Sequence, residues 1–445
     1  MQISYASSLP VSVDEAFAWH ARPGAMTRLL PPWQPVRAVR ESQSLASGRA
    51  ELRLGPGLSW QAKHRPEDFR PGRGFVDELT PEGLRAAPLK AVNWRHEHLF
   101  SPIDQNSCQL EDRITTNLPR RFVEPMLHYR HRVLADDLLA HRRAAEQGLT
   151  PRVVAISGAS GMIGSALTAF LRTGGHRVIE LVRRAPRHGD ERQWTPDNPA
   201  ADLLEGCDAV IHLAGANIFG RFTDAHRKAI AQSRIEPTRR LASCAEASGV
   251  GVFISASGIA AYPQGDEPCN EHAPQNAEGF LAQVVRDWEA AARTGESSAM
   301  RRVQIRTGLV QTPQGGMLKV LRPIFSLGAG GPIADGSAWQ PWIALDDLLD
   351  IYHRALWDES LAGPVNASAP HPVRQREYAR VLAQVLHRPA IVPVPAFAPK
   401  LVLGDEGADQ LALASIHAVP GKLLEAGHRF RFTTLRPALE HLLGV

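Results

Sequence analysis

The hydrophobic and polar positions of this chain fall into two regimes. Up to about residue 148 the apolar residues alternate over short runs, whereas beyond Arg152 they form continuous runs followed by segments of helical spacing. In the first regime the segments around Ile3-Ser-Tyr5, Ala50–Leu54, Ser59–His64, Gly74–Leu79, Trp94–Phe100 and Cys108–Ile114 read as strands separated by turn-forming Gly, Pro and Asp. Val11–Trp19 reads as a helix, with Ser12 as N-cap and Glu15 at the capping-box position. Met126, Tyr129, Val133, Leu134, Leu138 and Leu139 recur at helical spacing and predict a long helix from about Phe122 to Ala145. An α+β unit follows. Within it Trp94, His96, His98 and Phe100 share one strand face, as a cavity wall or, the reading preferred, as a packed face. His96 and His98 lack a third ligand nearby in sequence, so no metal site is expected.

In the second regime strands alternate with helices, which predicts a doubly wound parallel α/β sheet. It opens on Val153-Val-Ala-Ile-Ser157, breaks at Gly158-Ala-Ser-Gly161-Met-Ile-Gly164 and continues as an amphipathic helix through Leu167, Phe170 and Leu171, stopped by Gly174-Gly175. In such a unit the first glycine permits the turn, the second lets a pyrophosphate approach the main chain, and the third lets helix and strand pack. The helix N-terminus then holds the phosphates. The alternative is a purely structural strand-turn-helix. The second strand, Arg177–Val182, ends at Val182 where an acid would bind ribose hydroxyls, and Arg183 and Arg184 follow. Two cations there suit a 2′-phosphate, favouring NADP over NAD, or else they are solvated strand-end charges. Asp208–Ala216 and Val252–Gly258 read as buried strands ending in small or hydroxyl residues at the edge where such sheets bind ligands.

Composition narrows the picture by exclusion. At 445 residues the length prior suggests about three domains. The formal charge is only +4 and the arginines are dispersed, so no nucleic-acid partner is expected. Cys108, Cys207, Cys244 and Cys269 show no C-x-x-C spacing, which argues against a disulfide framework or a zinc site. The first ten residues lack a basic region followed by a long apolar stretch, and no segment of ~18 residues is free of charge. The expectation is a cytoplasmic protein without stable membrane insertion.

From about Arg152 onward the chain resembles the extended short-chain dehydrogenases, and within them the atypical, sugar-nucleotide epimerase-like family. The resemblance rests on Gly158–Gly164, His212-Leu-Ala-Gly215-Ala-Asn217-Ile218, Ser233-Arg234, Thr238-Arg239, Ile254–Ser257, Phe280-Leu281, Asp287-Trp288-Glu289, Arg306–Val310, Leu327–Pro332, Gln340–Asp347 and Gly363–Ala367. Arg388-Pro389, Pro393–Phe397 and Pro420–Gly427 resemble that family's small C-terminal domain. The first half resembles the SRPBCC helix-grip superfamily, in which a curved antiparallel sheet wraps a long C-terminal helix around an apolar cavity. Its carriers are Val13–Trp33, Arg73–Glu78 and Trp94–His98. The implied organisation is a helix-grip ligand-cavity domain at 1–148, a dinucleotide-binding Rossmann domain at 152–362 with substrate-lobe segments partly within 312–345, and a small C-terminal domain at 363–445.

The resemblance also implies a site. The cofactor-binding set is Gly158, Ser160, Gly161, Met162, Ile163, Gly164, Arg183, Arg184, Leu213, Ala214, Gly215, Ser255, Ala256 and Arg306. The Tyr-x-x-x-Lys pair of ordinary short-chain dehydrogenases, in which lysine lowers the tyrosine pKa, is absent from the helix Phe280–Trp288. Ser257 is the candidate active-site hydroxyl, and Tyr262 the substitute acid or a packed loop aromatic. Ala261 stands where related members often have a tyrosine, and Thr312 where glycine usually precedes the proline. Asp287 and Glu289 face either the site or, the reading preferred, solvent on an exposed helix face. Gly328, Gly330, Gly331, Trp339 and Trp342 fall in the substrate-lobe segment, the glycines as a source of loop mobility and the tryptophans stacked on a ring or packed. The implied activity is NADP-dependent hydride exchange on a small molecule, with an apolar ligand in the N-terminal cavity. The alternatives are a non-catalytic dinucleotide sensor or scaffold, and a lipid or isoprenoid carrier.

Overall fold

The computed structural model describes residues 1–293, 299–390 and 392–445. They form two compact units, Met1–Pro151 with Ala166–His176 and His441–Val445, and Arg152–Ser165 with Arg177–Glu440.

The first unit carries β1 (Gln2–Leu9), α1 (Val13–Ala21), α2 (Ala25–Leu29), β2 (Val36–Arg40), β3 (Arg49–Leu54), β4 (Leu58–His64), β5 (Gly74–Leu79), β6 (Trp94–Pro102), β7 (Cys108–Thr116) and the long α3 (Arg120–Glu146). Its seven strands pair antiparallel in the order β1-β7-β6-β5-β4-β3-β2. In β7 every second residue is buried, so one face of the sheet meets the core. Trp19, Phe75, Phe100, Leu110, Val133 and Leu138 join in that core. Ser12 caps α1 by accepting from Glu15 N–H, but the Glu15 carboxylate binds Arg22 instead of closing the capping box. Strand β2 is an edge strand that the hydrophobic pattern did not announce. Its arginines at positions 37 and 40 face solvent, as suits an edge that must not pair further.

Beyond Pro151 the chain runs through β8 (Val153–Ser157), α4 (Met162–Thr173, which from Ala166 on belongs to the first unit), β9 (Arg177–Val182), β10 (Glu191–Gln193), β11 (Ala209–His212), α5 (Asp224–Gln232), α6 (Ile235–Ala247), β12 (Val252–Gly258) and α7 (Phe280–Ala292). It continues through β13 (Arg301–Thr307), β14 (Leu309–Gln311), α8 (Gly316–Ser326), β15 (Trp339–Gln340), β16 (Trp342–Ala344), α9 (Leu345–Trp357), β17 (Gly363–Ala367), β18 (Val373–Arg374) and α10 (Gln375–Val385). Helices α11 (Phe397–Gly407), α12 (Gly421–Glu425) and α13 (Leu435–Leu443) complete the chain. Seven parallel strands run in the order β10-β9-β8-β11-β12-β13-β17, a Rossmann-like sheet. Helices cover both faces, so β11 is buried throughout and apolar up to His212, and β12 opens on the buried apolar run Val252–Ile254 before its serines. The boundary expected at 362/363 falls at the start of β17, which hydrogen-bonds to β13 as the last strand of the sheet. Residues Gly363–Ala367 thus belong to the parallel sheet. Among the described residues no helix is long and apolar enough to cross a membrane, and the four cysteines are free thiols.

A buried ion pair locks α2 to α3. Arg28 donates to both Asp137 carboxylate oxygens at 2.8 Å, and the side chains are 4% and 0% exposed. Removing one partner strands the other charge, so Asp137→Ala should lower the unfolding free energy by about 3–5 kcal/mol, measured by urea denaturation.

Candidate active site

The carboxyl edge of the parallel sheet is shaped by its glycines. Gly158, directly after β8, has φ +75°, and a Cβ there would lie 2.9 Å from both Ala214 N and Leu213 C. Only glycine satisfies both the left-handed turn and the close approach of the loop after β11. At Gly164 a Cβ would meet the Gly158 carbonyl oxygen at 2.1 Å, so α4 packs hard against the turn. Gly161 differs. It is exposed, and a Cβ there would touch only the Gly158 oxygen, at 3.2 Å. The space over the loop at the start of α4 is therefore open, with Ser160 exposed and Met162 and Ile163 half-buried beside it. This cradle fits a pyrophosphate: a glycine surface, a helix N-terminus, and no side chain in the way.

The two cations after β9 separate. Arg184 is bound to the Glu191 carboxylate, its Nη1 at 2.7 Å, and that pairing holds Glu191 down at a pKa of about 2. Arg183 is exposed and makes no hydrogen bond or ion pair among the described residues. Next along the edge, the Ser157 hydroxyl meets His212 Nδ1 at 2.5 Å, and burial pushes the His212 pKa down to about 3, so this imidazole is neutral. Arg234 donates to the Ala216 carbonyl at 2.9 Å and lies over the Trp288 ring, 5.2 Å from its centre, which fixes the loop containing Gly215. Ser255 is 1% exposed and its hydroxyl has no hydrogen-bond partner among the described residues, whereas Ala256 is half-buried.

Beyond β12 the edge is held by a buried polar network. Ser257 Oγ donates to Glu289 Oε1 at 2.8 Å. Arg306 grips Glu289 with Nε at 2.8 Å and Nη2 at 2.9 Å, and donates from Nη1 to the Tyr262 hydroxyl at 2.6 Å. Tyr262 in turn donates to Asn366 Oδ1 at 2.8 Å. The Asn366 N–H donates to Glu271 at 2.8 Å, and the Lys422 N–H to the same carboxylate at 3.0 Å. Burial raises the Glu289 carboxyl, but the Arg306 guanidinium outweighs it and holds Glu289 below the ordinary range. Burial lifts Tyr262 to about 12.

These positions revise several expectations. Glu289, expected on an exposed helix face, is 1% exposed because α7 turns it inward to meet Arg306, while Asp287 is half-exposed. Arg306, expected beside the cofactor, is committed to Glu289 and Tyr262. Tyr262 is 1% exposed, and its hydroxyl both donates and accepts within the network. Gly330 and Gly331 are packing glycines, since a Cβ would strike the Phe325 ring at 2.4 Å or the Val392 oxygen at 2.0 Å. Trp342 is buried and donates to the His371 carbonyl, whereas Trp339 stacks on His417 at 3.8 Å beneath the Arg374 guanidinium. Glu271 and Gln275 were missed. No motif marks them, because their role comes from a loop folding back under Asn366 and Glu289.

The comparisons agree with this architecture. A family model described as NAD dependent epimerase/dehydratase family matches residues 154–366, and a domain of unknown function, DUF1731, matches 394–442. An epimerase family protein of Mycobacterium bovis is 38% identical over 290 residues, which span 64% of this chain and 96% of the relative. The chain belongs to the NAD-dependent epimerase/dehydratase family. Among solved structures, one described as the nucleoside-diphosphate sugar epimerase from Corynebacterium glutamicum is similar over 99% of this chain and 90% of its own, at TM-score 0.85 and 37% identity. The human epimerase family protein SDR39U1, solved with NADPH, matches 65% of this chain and 99% of its own at TM-score 0.60 and 30% identity.

Two measurements check the geometry. Gly164→Ala should cost roughly 1–3 kcal/mol in urea unfolding through overpacking against the Gly158 carbonyl. Because the folded Glu289 carboxyl titrates below its unfolded value, its contribution is full at neutral pH and is lost as pH falls through the depressed folded value. The stability difference between the natural chain and Glu289→Gln should therefore shrink on acidification below the ordinary glutamate range.

Proposed function

We propose that the chain is an NADP-dependent oxidoreductase of the epimerase type, acting on a carbinol or enone carbon of a small molecule. The observation that carries the reading is the open glycine cradle at Gly161 between the constrained turns at Gly158 and Gly164. The NADPH found with the human relative supports the same cofactor class here. Gly158, Ser160, Gly161, Met162, Ile163 and Gly164 hold the pyrophosphate, and the loop residues Leu213, Ala214 and Gly215 border the nucleotide. Arg183, being unpaired, answers the 2′-phosphate, and Arg184 serves to shape the strand end. When bound, the nicotinamide supplies the hydride donor or acceptor. Ser257 already donates its proton to Glu289, so its oxygen lone pairs remain to accept from a substrate hydroxyl and orient it. With Tyr262 enclosed, the substrate proton passes to water and Tyr262 acts as a positioning residue for Arg306.

Fluorescence titration tests this directly. NADPH should bind tightly and NADH weakly, and Gly161→Asp should abolish both while circular dichroism stays unchanged. Arg183→Ala should weaken NADPH by roughly tenfold or more, the worth of a charge-assisted contact, and leave NADH nearly unaltered. Equal losses for the two nucleotides would remove the 2′-phosphate role.

The enclosure of Tyr262 favours a second reading, a dinucleotide sensor without turnover. A substrate screen with Ser257→Ala as control separates the two, since turnover that falls in that variant at unchanged NADPH affinity excludes the sensor. The first unit, with its antiparallel sheet, long α3 and a cavity of about 290 Å³ lined by residues such as Leu29, Leu52, Phe75 and Met126, supports an SRPBCC-type domain that takes an apolar ligand. Solvent extraction and mass spectrometry of the purified chain should recover such a molecule at near-stoichiometric yield; its absence counts against the carrier role.

A further inference from the structure

We propose that Asp77, His96 and His98 form a binding site for one divalent transition metal ion on the wall of the N-terminal cavity. The sheet builds the site. Alternation along β6 sends His96 and His98 to one face, and the register of β5 places Asp77 directly opposite His96. Three potential ligand atoms, one from each residue, lie within 4.8 Å of one another. Asp77 Oδ2 is 3.8 Å from His96 Nδ1 and 3.6 Å from His98 Nε2. A tetrahedral zinc site with bonds of about 2.0–2.1 Å has ligand separations of roughly 3.3 Å, so completing the site requires the side chains to draw inward around the ion.

The other nitrogens of both rings face a second carboxylate. Asp112, on β7 opposite His98 and 2% exposed, lies 2.7 Å from His98 Nδ1 and 3.4 Å from His96 Nε2. These approaches are close but misaligned: His96 Nε2, His98 Nδ1 and Asp112 Oδ1 are buried without a hydrogen bond of good geometry. A cation on His96 Nδ1 and His98 Nε2 would leave the protons on the nitrogens that face Asp112, the arrangement by which an outer carboxylate orients metal-binding imidazoles. His131 continues the chain outward, 3.3 Å from Asp112 through Nε2 and 2.7 Å from the Ser7 hydroxyl through Nδ1.

Charge points the same way. The carboxylates of Asp77 and Asp112 lie on either side of the two rings, and together they can balance a dication inside a largely apolar cavity, where uncompensated charge is costly. All three ligands line that cavity, and three protein ligands leave a coordination position open toward it. The donor set, imidazole and carboxylate without thiolate, suits zinc and its first-row neighbours.

The test uses the full chain, stripped with a chelator and titrated with Zn²⁺ against a chromophoric competitor. One equivalent should bind tightly, Asp77→Asn and His98→Gln should each weaken it about tenfold or more, and Asp112→Asn by about 10–100-fold. Circular dichroism verifies the fold of each variant, and if His98→Gln fails to fold, the half-buried Asp77→Asn decides. Co²⁺ added to the natural chain should give the intense visible absorption of a four- or five-coordinate ion, lost in Asp77→Asn. Zn²⁺ affinity equal to that of the Asp77→Asn/His98→Gln double variant, or a pale six-coordinate Co²⁺ spectrum, would overturn the proposal.

Discussion

The candidate active site depends on one buried guanidinium. Arg306 lies on β13, between β12 and the edge strand β17, and is 4% exposed, so its charge has little solvent to stabilise it. Burying such an ion costs several kcal/mol even after relaxation, and the cost is offset only when geometry is good and the remaining donors are satisfied. The bidentate grip on Glu289 and the bond to Tyr262 meet that condition. The consequence reaches further than the pair. Glu289 fixes the Ser257 hydroxyl on β12, Tyr262 fixes Asn366 on β17, and Asn366 with Glu271 ties in the segment at Lys422. Strands β12, β13 and β17 and the C-terminal segment are thereby joined at the sheet edge by one chain of hydrogen bonds, charge-assisted at Glu289, Arg306 and Glu271.

That chain defines the chemistry the edge supports. In a Tyr-x-x-x-Lys site, the lysine lowers a phenol so that it exchanges protons near neutrality. Here the tyrosine moves the other way: burial dominates, its value rises to about 12, and both sides of its hydroxyl are occupied. Within this chain of contacts the hydroxyl with free lone pairs is Ser257, whose proton is directed to Glu289. An edge built like this orients a hydroxyl better than it ionises one.

How much of this was legible in the sequence follows from whether the signal is local. The glycine loop was readable because Gly158 makes its own left-handed turn and Gly161 and Gly164 meet the Gly158 carbonyl a few residues away, whereas the approach of Leu213 and Ala214 to Gly158 comes from a distance. Buried parallel strands such as Val252–Gly258 announce themselves as apolar runs. Strand β2 escaped notice because an edge strand with solvent-facing arginines carries little hydrophobic pattern. Glu289 was misread for a different reason: on a helix a lone carboxylate looks solvated unless its counter-charge is visible, and Arg306 sits on another strand. The different surroundings of Arg183 and Arg184 were hidden likewise, since Glu191 binds one of them from a short strand whose register with β9 the pattern does not reveal.

The same reasoning explains the histidines of β6. Period two put His96 and His98 on one face, yet nothing in the nearby sequence offered a third ligand. The missing partners are a property of register. In an antiparallel sheet, residues directly opposite have neighbouring side chains, so β5 contributes Asp77 and β7 contributes Asp112 on either side of β6. A one-residue slip in either pairing would send those carboxylates to the other face and leave two buried imidazoles facing apolar neighbours. Register therefore decides the chemistry of this wall: the other residues opposite the histidines, Phe75 and Ile114, are buried and apolar, and the two carboxylates supply its negative charge beside the rings.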